Sequence, residues 1–116
     1  MALVLTPEIL AAAYEYLRTT QPFVRWNLPE PDDVRFRVIR DRAVYGWHRR
    51  EGKQHTIAIS SAMIGHTTTL IGAMAHEMTH AHMSETGMNK SGDHGAAFLR
   101  LTSEICRVHG FDHKSF

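Results

Sequence analysis

The chain has 116 residues, 43% of them hydrophobic and 22% charged, with a formal net charge of +1. That length suits one core and one domain spanning residues 1–116, and the composition excludes a disordered chain. No apolar run reaches bilayer-spanning length, and the apolar start Met1 to Leu5 is too short and lacks the basic flank of a signal peptide.

The single cysteine, Cys106, excludes an internal disulfide and any zinc ribbon built from CxxC pairs. These features predict a soluble protein of a reducing compartment, the cytoplasm, with no membrane partner. Charge is uneven along the chain. Between Val34 and Lys53 stand Arg35, Arg37, Arg40, Arg42, Arg49, Arg50 and Lys53 against only Asp41 and Glu51. Such a stretch is either the solvated side of strands or a face for an acidic partner such as DNA.

The first predicted element is a helix opened by Thr6-Pro7-Glu8: a hydroxyl cap, proline in the first turn and an acid at the positive end of the dipole. Ile9, Leu10, Ala13, Tyr14 and Leu17 form its apolar stripe. The stretch from Asn27 to Asp33, with Pro29 and Pro31, is expected to be a loop. Three strands follow. Val34, Phe36 and Val38 alternate in the first, Ala43, Tyr45 and Trp47 in the second, and the third runs from His55 to Ser60. Arg49 to Gln54 is expected to turn through Gly52.

Beyond Gly65 the period becomes helical. Thr67, Thr68 or Thr69 caps a helix whose apolar face is Leu70, Ile71, Met74, Ala75, Met78 and Ala81, ending at Gly87. A polar loop from Met88 to Asp93 leads to a last helix with Ala97, Phe98, Leu101, Ile105 and Val108 on one face, ended by Gly110. The expected fold is therefore α+β: an N-terminal helix, a small three-stranded antiparallel sheet, a central helix and a C-terminal helix.

Inside the central helix lies His76-Glu77-Met78-Thr79-His80, an HExxH pattern. Residues four apart on a helix stack one turn above each other, so both imidazoles reach one ion. Glu77 lies about 100° round the helix from His76, placed to touch a metal-activated water. A catalytic zinc takes three protein ligands and one open position. His94, in phase with Phe98 and Leu101, is the favoured third ligand, and Glu104 is the rival in a two-His-one-Glu set. Asp93 is either a helix cap or a carboxylate orienting a ligand imidazole.

His82 is expected to pack, His55 to border the third strand, and His109 and His113 to sit exposed or near a helix end. Met74, Met78 and Phe98 are core candidates, as is Cys106. Trp26 fits the core, while Trp47 beside Arg49 and Arg50 fits either the core or a surface that stacks on bases.

The segment His76-Glu77-Met78-Thr79-His80-Ala81, followed by Gly92-Asp93-His94-Gly95-Ala96-Ala97-Phe98, resembles the SprT-like family, which includes the Spartan proteases. The shared pattern is HExxH, a short loop and HGxxF, and the likeness runs from Tyr45 to Phe111. It implies a minimal zincin-like zinc metallopeptidase, with His76, His80 and His94 as ligands of one Zn²⁺ and Glu77 as catalytic acid/base. It also implies a peptide or protein substrate, with DNA-bound proteins among the candidates through a face including Arg35, Arg37, Arg49, Arg50 and Lys53. Tyr45, His48 and His66 are candidates to support the oxyanion. Many relatives carry a second zinc-binding module, and Spartan adds DNA-binding tails; these 116 residues contain neither. A different class stays open: a zinc-stabilised module that binds nucleic acid or protein without turnover.

Overall fold

A computed structural model describes residues 4–88, 94–113 and 116. The expected cap at Asp93 and most of the loop before it lie outside the described residues. The first helix, α1, covers Pro7–Arg18; Thr6 caps it, its Oγ1 accepting from the Ile9 amide at 3.2 Å. Leu10, Ala13, Tyr14 and Leu17 are its buried face, spaced to return to one side of the helix. Single 3-10 turns follow at Phe23–Arg25 and Pro31–Asp33, the second within the expected loop.

The strands are β1, Val34–Ile39; β2, Gly46–Glu51; and β3, Gln54–Ser60. β2 begins later than its alternation suggested. The hairpin is also tighter: β2 runs to Glu51, and Gly52 turns the chain at φ 61°.

The sheet is mixed, which corrects the antiparallel expectation. β2 pairs antiparallel with β3, and β1 pairs parallel with β3, in the order β1-β3-β2. The reason lies in the connection. Residues 40–45 carry the chain past the middle position to the far edge, so β3 returns between its two predecessors and runs alongside β1. Ile57 and Ile59, fully buried on that middle strand, sit in the core with Leu10, Tyr14 and Leu17 of α1.

The central helix, α2, spans Thr67–Thr86, and the last, α3, spans Ala96–His109. α2 packs against the sheet, α1 and α3. Its cap is His66 rather than one of the three threonines, which fall in the first turn; Gly87 ends it at φ 70°. Leu70, Met74, Ala75, Met78 and Ala81 are buried as expected.

The buried face of α3 is rotated from its expected position. Phe98, Thr102, Ile105 and Cys106 are buried, while Val108 is exposed. Phe98 and Ile105 keep their expected place, with the Phe98 ring packed on a cluster of imidazoles. Gly110 caps the helix at φ 78°.

Candidate metal centre

One turn of α2 brings the His76 and His80 rings within 4.9 Å of each other, edge to face. His94, just ahead of α3, meets them. His80 Nε2 lies 3.2 Å from His76 Nε2 and 3.1 Å from His94 Nε2. The three histidines form a group able to hold a metal ion, with ligand atoms all within 4.8 Å of one another. Two Zn–N bonds of ordinary length at the tetrahedral angle separate their nitrogens by about 3.3 Å, so the spacing fits such an ion.

Phe98 gives the phenylalanine of the HGxxF pattern a physical role. Its buried ring packs against all three imidazoles, with centroids 5.0 Å from His76, 5.0 Å from His80 and 4.5 Å from His94. His76 is fixed from another side by a 2.9 Å hydrogen bond from Nδ1 to the backbone oxygen of Phe116. Nδ1 is then the protonated nitrogen, which leaves the Nε2 lone pair for a metal. Burial holds the His76 imidazole below its ordinary value, favouring the neutral ring that ligation requires.

Glu77 is 5% exposed and borders the same space. Burial pushes its carboxyl up to about 8, because an apolar surrounding disfavours the charged form. Two cavities meet here. One, of about 450 Å³, is lined by the three histidines and Glu77 on one side and by Gly46, Trp47, His48 and Arg50 of β2 on the other. The second, of about 710 Å³, shares Gly46, His76 and Glu77 with it and extends to Gly72 and Phe111. Glycine is needed at the junction, because a Cβ on Gly46 would run into the Ala58 carbonyl oxygen.

Of the candidates for a supporting polar group, His48 lines the first cavity and Tyr45 the second, while His66 is the exposed cap of α2. His48 also ends a chain that sequence reasoning missed. Its Nε2 lies 2.8 Å from His55 Nδ1, and His55 Nε2 lies 2.5 Å from Glu85 Oε1. Arg50 adds to the cluster, donating to the Ser84 carbonyl and standing 3.7 Å from the Glu85 carboxylate. No sequence signal marks Glu85, whose partner is thirty residues away.

The rival ligand Glu104 is elsewhere, paired with Arg25 at 2.8 Å. His82 stacks on Trp26, with ring centroids 4.2 Å apart, and His109 bonds to Thr20 and to the Gln21 carbonyl. The basic stretch divides. Arg35 and Arg49 flank Thr56 across the sheet, and Trp47 lies under the guanidinium of Arg49 at 4.4 Å and of Arg37 at 6.0 Å. Lys53 is exposed in the hairpin turn. Arg50 leaves this face and turns toward α2, drawn by Ser84 and Glu85.

No helix among the described residues is long and apolar enough to cross a membrane. No curated protein matches the chain. A family model described as the SprT-like family matches residues 13–115. With that match covering nearly its whole length, the chain belongs to the SprT-like family.

Proposed function

We propose that the protein is a zinc-dependent endopeptidase in which His76, His80 and His94 hold the metal and Glu77 is the general acid/base. The observation that carries this reading is the convergence of three imidazole nitrogens beside a buried carboxyl in one cavity. A zinc ion held there supplies Lewis acidity, polarising a carbonyl and lowering the pKa of a water.

The remaining chemistry belongs to the chain. The bond from His76 Nδ1 to the Phe116 oxygen fixes one imidazole in its ligating tautomer. With a metal cation beside it favouring the carboxylate form, Glu77 would take a proton from the attacking water and pass it to the leaving amine. Positioned acid/base groups of this kind contribute roughly 10²–10⁴-fold in rate. His48, oriented through His55 by Glu85, is the polar group on the opposite wall, suited to the substrate carbonyl.

Arg37 and Arg49 around Trp47, with Arg35 across Thr56 from Arg49, support a polyanionic partner, with DNA-bound proteins as substrates. Trp47 alternates with His48 along β2, so this face lies on the other side of the strand from the histidines. The buried Cys106 suits a reducing, cytoplasmic setting. The same cationic row favours the second reading, a non-catalytic zinc-stabilised module that binds nucleic acid or protein.

The test is proteolysis of a basic protein by zinc-loaded enzyme, with and without single-stranded DNA, against Glu77→Gln. Cleavage that needs Glu77 and rises with DNA supports a DNA-linked peptidase. Cleavage indifferent to DNA leaves a peptidase with other substrates. Zinc binding with no Glu77-dependent cleavage assigns the non-catalytic module.

A further inference from the structure

The larger cavity poses a question that the metal group does not answer. It is about 710 Å³, enough for a large side chain, and it opens onto His76 and Glu77. Its walls are mostly apolar, with Val44, Tyr45, Ala73, Phe111 and Phe116, although Thr68, Thr69 and Asp112 also line it. Its neighbour across the site has a different character, presenting His48 and Arg50. A peptide crossing the histidines therefore meets an apolar chamber on one side and polar, basic groups on the other.

Gly72 is the informative residue. It sits inside α2, one turn before His76 and on the same ridge, and it lines the chamber. Glycine within a helix is unfavourable, because it loses the most backbone freedom on folding. Packing does not demand it here, since an added Cβ meets no heavy atom within 4 Å. Its φ is also not in the left-handed region, unlike those of Gly52, Gly87 and Gly110. What a side chain at this position would do is fill the chamber beside the site.

We infer that this chamber receives a large apolar side chain of the substrate, next to the bond held at the histidines, and that Gly72 keeps it open. The inference rests on the peptidase reading for its substrate and on the cavity alone for its apolar ligand. It makes Gly72 a specificity-determining residue.

Two measurements test it, one of them independent of turnover. The zinc-loaded protein and its Gly72→Leu variant digest a denatured protein mixture, and the cut sites are mapped by mass spectrometry. Wild-type cuts are expected beside Phe, Leu and Met. In Gly72→Leu, the ratio of cuts beside these residues to cuts beside Gly and Ala is expected to fall at least tenfold. Separately, benzyl alcohol is titrated into the zinc-free proteins while the amide resonances of Val44 and Ala73 are followed. Saturable shifts are expected in wild type and their loss in Gly72→Leu, with Gly72→Ala as a folded control.

Cut sites with no apolar preference, or an unchanged ratio in the variant, overturn the substrate assignment. Absence of all turnover, with the alcohol still bound beside Ala73, overturns the peptidase reading and keeps the chamber as an apolar site. Amides that do not respond to the alcohol overturn the chamber whatever the digestion shows.

Discussion

His55 and Glu85, thirty residues apart, meet at 2.5 Å where the β2–β3 hairpin lies on the last turns of α2. His55 is 1% exposed, so this carboxylate satisfies a ring nitrogen that water does not reach. Glu85→Ala leaves that nitrogen without its partner, and a loss of about 1–3 kcal/mol is expected in denaturant unfolding.

The same pair has a pH signature. The hydrogen bond from His55, and then the charge of Arg50, hold the Glu85 carboxyl below its ordinary value. Such a group stabilises the fold above its unfolded value, about 4.3, and that contribution is lost as pH falls through the lower folded value. The acid side of a Tm-against-pH curve should therefore be shallower in Glu85→Gln than in wild type. Superimposable acid limbs would show that the pair carries no charge-dependent stability.

Glu77→Gln separates chemistry from structure. Burial already disfavours the charged carboxyl, so an uncharged amide of similar shape is expected to fold at least as stably in the zinc-free protein at neutral pH. Zinc binding should persist while turnover falls by roughly 10²–10⁴-fold. Equal cleavage by the variant would remove Glu77 from the mechanism.

His94 is exposed and precedes α3, so its loss should scarcely touch folding. His94→Ala is expected to change zinc-free stability by no more than about 0.5 kcal/mol. Zinc affinity should fall by at least about 100-fold, the upper range for losing even an outer partner of a ligand. Competition with a chelating dye measures it.

Phe98 joins core and site. Its ring is 4% exposed and touches every imidazole of the group, so Phe98→Ala should cost about 3–5 kcal/mol and weaken zinc binding as well. A variant that loses stability but keeps full zinc affinity would show that the ring serves the core alone.

What could be read from the chain follows the range of each interaction. α1 was legible because Thr6, Pro7 and Glu8 act within one turn of their own backbone. The histidine pair was legible for the same reason, since helical spacing alone brings His76 and His80 together. His94 was placed by its phase with Phe98, although α3 itself starts only at Ala96.

The sheet order was not legible. Alternation reports which side of a strand is buried, and it is blind to which neighbour pairs with which. The face of α3 was misjudged in part: Cys106 is buried as expected, but Thr102 is buried where Val108 looked the better candidate. Glu85 and the turning of Arg50 toward α2 stayed hidden because both depend on how the hairpin lies across a helix.

The division of the three histidines between two segments has a thermodynamic consequence. His76 and His80 share one helix, whereas His94 introduces the next. An ion bridging all three cross-links the chain between residues 80 and 94, much as a staple would, and penalises any excursion that lifts α3 away. On the zinc reading, the activity of that ion in the surroundings would set how often the final helix opens. Amide exchange in α3 should slow with added zinc, whereas exchange in α1, which contributes no ligand, should follow only the stability of the whole fold.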